Sequence, residues 1–251
     1  MRWQMYLKEV KRLKLYIIST VAVICLSYSV YLFFDDETIR RLAREDGFFE
    51  NLTAVFFVFG AVLLFLSFRR TKNIFLLGLA VLLLIGAGEE ISWGQRIFHF
   101  RTPGWVHKVN VQHEFNVHNI ETFNDRNFEG HKKTGWQRLA EINMLFRIFS
   151  VIFLVCMPLF FFHMKPLLVT NKKLQMPVAP VTIGIFFIVS WAIFYGLKYF
   201  ILPGGRVESF YLSAGEIFEF TAAYIYFIVA LYFYCSKNDS FLGKDIKQTI
   251  A

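Results

Sequence analysis

Ile74-Phe-Leu-Leu-Gly-Leu-Ala-Val-Leu-Leu-Leu-Ile-Gly-Ala-Gly-Glu-Glu90 is the stretch whose reading decides the fold. It is apolar as far as Ala87 and ends on two adjacent carboxylates. A hydrocarbon core of roughly 30 Å is crossed by about 20 residues rising about 1.5 Å each, so the run reads as a membrane helix. A charged side chain at mid-membrane costs about 2.5–3.5 kcal/mol on translocon-type scales, so acids at such a place are expected to pair or to work.

Outward from this run the same pattern recurs. Spans are predicted at approximately 14–34, 49–68, 74–97, 141–163, 181–202 and 210–235. The fold class expected is an all-α polytopic bundle of about six transmembrane helices, one membrane domain over residues 1–251, with a long outer loop between helices 3 and 4. The composition agrees: 56% of the residues are hydrophobic and 31 are Phe, too apolar for an ordinary soluble domain. Cys25, Cys156 and Cys235 lie in or beside the apolar runs without paired spacing, which points away from disulfides and thiolate zinc.

The net charge of +8 is a topology signal rather than a sign of nucleic-acid binding. Basic residues collect in Arg2 to Lys14, in Arg69-Arg70-Thr-Lys72, at Lys165, Lys172 and Lys173, and at Lys237, Lys244 and Lys247. Short loops rich in Lys and Arg stay cytoplasmic. Both termini are therefore expected inside, and the compact chain points to a bacterial inner membrane. Residues 99–140 and the turn Pro203 to Arg206 fall on the outer side. Leu15 to Phe34 is long and lacks a small-residue cleavage site, so it reads as an uncleaved first span.

Glu89 and Glu90 in the third span and Glu216 and Glu219 in the sixth are then placed in the outer half of the membrane, with Arg147 and Lys198 at similar depth. Helical spacing puts Glu89, Trp93 and Arg96 on one face, and Glu208, Gly215 and Glu219 on another. Trp93, Trp105 and Trp136 read as interfacial anchors, and Thr38 to Asp46 as an amphipathic stretch along the surface.

The outer loop contributes Asn110-Val-Gln-His-Glu-Phe-Asn-Val-His-Asn119 and five of the 6 histidines. Asn110, Glu114 and His118 share a face whether the segment is helix or strand. His113-Glu-Phe-Asn-Val-His118 is not HExxH, since its second His comes one residue late. The candidate catalytic set is Glu89, Glu90, Arg96, Glu114, His118, Glu216 and Glu219. Glu90, Glu114, His118 and Glu216 form a candidate ligand set for a divalent metal, because imidazole and carboxylate suit zinc, manganese or iron. The same groups could act without metal as acid, base and anion holder, and an ordered loop held by side-chain hydrogen bonds is an equal alternative.

Glu89-Glu90 followed by Arg96, with histidines later, resembles in its chemistry the paired-glutamate motif of the CAAX-processing membrane glutamate proteases. The spacing departs: Arg96 lies six residues after Glu90 where that motif has four, and Phe115-Asn-Val-His118 is one residue short of FxxxH. The resemblance stays an analogy of chemistry.

The leading expectation is a membrane-embedded hydrolase or transferase acting on a lipid or lipid-linked substrate at the outer leaflet. A proton- or cation-coupled transporter using Glu216 and Glu219 is the second, and a noncatalytic membrane assembly factor the third.

Overall fold

A computed structural model of the chain describes residues 13–44, 47–164, 176–197 and 207–235. The side chains of Arg96, of residues 162–164 and of residues 207–212, including Glu208, lie outside the description. So do the basic clusters expected at residues 2–12, 165–173 and 237–247, together with Lys198 and the turn 203–206.

The described chain is helical, and its strand-like pairing is confined to the isolated bridges Asn110 with Ile120 and Arg126 with Lys132. The helices are α1 (Lys14–Phe33), α2 (Asp36–Leu42), α3 (Phe48–Thr71), α4 (Ile74–Glu90), α5 (Gln95–Phe98), α6 (Gly104–His107), α7 (Ile142–Val151), α8 (Met157–Met164), α9 (Val181–Gly196) and α10 (Val207–Cys235). Among the described residues four segments are long and apolar enough to cross a membrane: Lys14–Phe33, Phe48–Thr71, Ile142–Phe161 and Ser213–Cys235. Val181–Gly196 is apolar but shorter. The expected third span, 74–97, is a helix of 17 residues that stops at Glu90, because the backbone turns left-handed from Ser92, and it is not one of those four.

The ends are set locally. Asp35 caps α2, its carboxylate accepting the Thr38 N–H at 2.8 Å; the Thr38 hydroxyl first, and then that N–H, hold the carboxyl below its ordinary range. Asn73 caps α4 by accepting from the Phe75 N–H at 3.0 Å, while Lys72 takes the left-handed conformation that ends α3. Two residues thus join antiparallel α3 and α4.

α10 is the most buried helix, packed against α3, α9 and α1. Ala214, Ala222, Ala223 and Ala230 are fully buried along it, and Gly60 of α3 comes close to the Phe227 backbone. Lipid tails are as apolar as Leu, so helix association in a bilayer relies on such close approach and on hydrogen bonds. The bonds are present: Tyr28 Oη lies 3.2 Å from Ser190 Oγ, Ser190 Oγ 2.6 Å from Thr221 Oγ1, and Ser150 Oγ 2.8 Å from Tyr226 Oη. Interhelical bonds of this type average about 0.6 kcal/mol, so packing carries most of the association. The outward faces are apolar, with Leu26, Leu32, Phe59, Leu82 and Ile85 exposed.

Between α7 and α8 the helix widens into a π-helical turn, Ile152–Cys156. Pro158 explains it: proline has no N–H to give the carbonyl four residues back, and its ring crowds that carbonyl. The displaced carbonyl of Leu154 lies against Gly184, where a Cβ would stand 1.9 Å from the oxygen.

Candidate functional site

The site lies where α4 stops. Ser92 (φ 46°), Trp93 (φ 52°) and Gly94 (φ 80°) are consecutive left-handed residues. Two of the three carry a Cβ, and such backbone costs of order 1 kcal/mol per residue, kept only where its surroundings enforce it. Here the enforcement is visible. The Trp93 ring lies on Gly88, where a Cβ would come within 2.9 Å of Cε3, and Trp93 Nε1 donates to Glu89 Oε1 at 2.6 Å.

Glu89 therefore turns toward the loop. Its Oε2 accepts the backbone N–H of Val117 at 2.6 Å and of His118 at 2.9 Å, and stands 3.4 Å from His118 Nδ1. The Glu89 side chain is 12% exposed and that of His118 33%. A carboxylate beside Nδ1 orients the imidazole and favours the tautomer with the proton on Nδ1, leaving Nε2 as the basic nitrogen.

The neighbouring Glu90 faces the helices. Glu219, Glu216 and Glu50 lie within its electrostatic reach, besides the adjacent Glu89. Arg147 and His118 act in turn on Glu219. The Arg147 guanidinium sits over the rings of Phe194, at 5.4 Å, and Phe218, at 5.8 Å. Among the described residues one end of the bundle thus gathers five carboxylates from α3, α4 and α10, Glu89 included, with an arginine from α7 and a histidine from the loop.

The loop is built from amide side chains. Asn110 Nδ2 donates to the Asn116 carbonyl at 3.0 Å and to its Oδ1 at 2.9 Å, while Asn110 Oδ1 accepts from the Gln112 and Glu114 N–H groups. Asn116 Nδ2 donates to Ser92 Oγ at 3.1 Å and to Glu114 Oε2 at 2.9 Å, and Ser92 Oγ donates to the same Glu114 oxygen at 2.9 Å. Gln95 Oε1 accepts the Phe115 N–H at 2.6 Å. Asn119 bonds Gln112 and Asn124. His107 and His113 stack, their ring centres 4.0 Å apart.

Set against the sequence, the structure brings Glu89 to His118, and Glu90 to Glu216 and Glu219. It uses Glu114 as a loop strut on Ser92 and Asn116. The expected regular alignment of Asn110, Glu114 and His118 gives way to turns, because each Asn side chain satisfies backbone groups that a helix or strand would pair. The common face of Glu89, Trp93 and Arg96 ends with the helix, although Trp93 still reaches Glu89; the side chain of Arg96 lies outside the described residues. Among the described residues no three His, Cys, Asp or Glu side chains are placed to hold one metal ion, the set Glu90, Glu114, His118 and Glu216 included.

Glu50 is the carboxylate that sequence reasoning missed. A signal was there, since Glu50 opens the buried stripe Glu50, Thr53, Ala54, Phe57, Gly60, Ala61 and Leu64, which runs at helical spacing along α3.

By class this is a helical chain with, among the described residues, four apolar helices long enough to span a bilayer and a polar site at one end of the bundle. Compared with protein-family models, with curated proteins and with solved structures, the chain matches none.

Proposed function

We propose that the protein is an integral membrane enzyme of about six spans, a hydrolase or transferase that acts on a lipid or lipid-linked substrate where the headgroup meets the outer leaflet. The observation that carries this reading is the contact between Glu89 and His118, an oriented imidazole at the rim of an apolar bundle. In hydrolysis His118 Nε2 takes a proton from water as the water oxygen bonds to the acyl or phosphoryl centre. The bond from that centre to the leaving oxygen then breaks, and the leaving oxygen receives the proton from His118. Glu89 stabilises the imidazolium between the two transfers. Arg147 and Arg96 offset the anionic charge of the substrate, and Glu90, Glu216 and Glu219 accept hydrogen bonds from its hydroxyls.

The test is turnover of a total membrane-lipid extract by the detergent-purified full chain, with products read by mass spectrometry. Conversion of a lipid species by the wild type and not by His118→Ala supports the reading. An unchanged lipid profile from folded wild-type protein overturns it.

A second reading, a proton- or cation-coupled transporter, draws on the gathering of Glu50, Glu90, Glu216 and Glu219. It predicts ion flux in proteoliposomes that Glu90→Gln abolishes.

A further inference from the structure

We infer that residues 97–109 form a foot that seats against a lipid surface carrying anionic headgroups. The segment is turned inside out relative to a water-facing loop. The amides behind it are buried, with Asn110 fully enclosed and Asn116 and Asn119 nearly so, whereas Ile97 is 61% exposed, Phe98 77% and Trp105 72%. A loop bathed in water would show the opposite preference.

Hydrogen bonds fix this inversion. Gln95 Nε2 donates to Thr102 Oγ1 at 2.7 Å and Thr102 Oγ1 donates to the His113 carbonyl at 2.6 Å. The chain from 95 to 102 is thereby closed on its polar side and pinned to the amide-rich loop, and its tip, Ile97 to Arg101, is displayed outward. Phe100 packs edge-on against Phe115 and stiffens the tip from behind.

Two observations identify the occupant as lipid. First, the apolar surface is continuous in the chain with an exposed apolar helix face: Val81, Leu82, Leu84 and Ile85 of α4 are exposed, and the foot begins at Ile97, just past the left-handed turn that follows that helix. Second, the charge is of one sign. Arg101 and Lys108 are exposed, and no Asp or Glu occurs from Ile97 to Val109. Exposed aromatic and aliphatic side chains interleaved with cations suit the interface, where rings sit at headgroup level and cations meet lipid phosphates.

The experiment uses full-length protein freed of Cys25, Cys156 and Cys235, with an environment-sensitive fluorophore on Phe98→Cys, Trp105→Cys or Glu129→Cys. It is reconstituted in phosphatidylcholine vesicles with and without phosphatidylglycerol. Glu129, on the same loop with its side chain 75% exposed, is the reference. Labels at 98 and 105 are expected to be quenched by headgroup-proximal spin-labelled lipid several-fold more than the label at 129. That quenching should deepen with phosphatidylglycerol, and the deepening should disappear in Arg101→Gln/Lys108→Gln protein. Quenching of all three labels by aqueous iodide to one extent overturns the inference and leaves the patch to a protein partner. Burial at 98 and 105 that ignores phosphatidylglycerol overturns its anionic part.

Discussion

Glu89 Oε2 accepts the His118 backbone N–H at 2.9 Å and stands 3.4 Å from the same residue's Nδ1. A side chain at the end of α4 thus holds both the backbone and the ring of a residue far along the chain, so the loop's position and the imidazole's orientation are one event.

Glu89→Gln tests this. The amide keeps the size but loses the charge that strengthens the two backbone bonds, and charge-assisted bonds are worth about 1.5–3 kcal/mol where neutral ones give about 1. We expect a loss of about 1–3 kcal/mol together with faster amide exchange at Val117 and His118. Unchanged exchange there would show that the loop is held by its amide network alone.

Gly88→Ala asks whether Trp93 needs its seat. A Cβ at 88 meets the ring at 2.9 Å, so the ring must leave and its bond to Glu89 goes with it. The expected cost is about 1–3 kcal/mol, as for overpacking elsewhere. Combined with Trp93→Ala, which removes the obstacle, the two effects should fall short of additive. Strict additivity in thermal unfolding would refute the coupling.

Much of the helical architecture was legible because hydropathy reports burial in lipid directly. The runs at 14–34 and 49–68 return as Lys14–Phe33 and Phe48–Thr71. The end of the third run was not legible: Ser92 and Trp93 are ordinary helix residues by composition, and nothing in hydropathy reports the sign of φ. The paired acids stood out because they end a long apolar run. Glu50 did not, because an acid in the first turn of a helix reads as a favourable dipole partner. The meeting of Glu89 with His118 has no spacing rule behind it, since the intervening chain is irregular and its path is set by Asn110 and Asn116.

At the far side of the bundle, Gly184→Ala would drive a Cβ to 1.9 Å from the Leu154 carbonyl oxygen, a backbone clash that no rotamer relieves. We expect a loss of about 3 kcal/mol or more in unfolding of the detergent-solubilised protein, beyond ordinary overpacking. Pro158→Ala supplies the missing N–H four residues after Leu154 and should draw the carbonyl back into the helix. The double variant is then more stable than Gly184→Ala alone. A double variant that is worse than either single one would separate the π-helical turn from Pro158.

Glu90→Gln sets stability against function. Glu90 is confronted by Glu219, Glu216 and Glu50 and neighbours Glu89 in sequence, while Arg147 acts on Glu219. Carboxyl groups gathered at low dielectric cost the compact state free energy in either form, by repulsion where they are ionised and by proton uptake on folding where they are not, and a neutral isostere that still hydrogen-bonds removes the share of Glu90. The variant should therefore be at least as stable as the wild type, with a gain of about 1 kcal/mol at neutral pH, and the gain should vanish at low pH, where the carboxyl is protonated in the folded and the unfolded chain alike. Under the enzymatic reading its turnover falls, and under the transport reading its flux disappears. A structural role for Glu90 predicts the reverse, a loss of stability at neutral pH with activity following the folded fraction. Thermal unfolding at two pH values, run beside the lipid-turnover assay, separates the two.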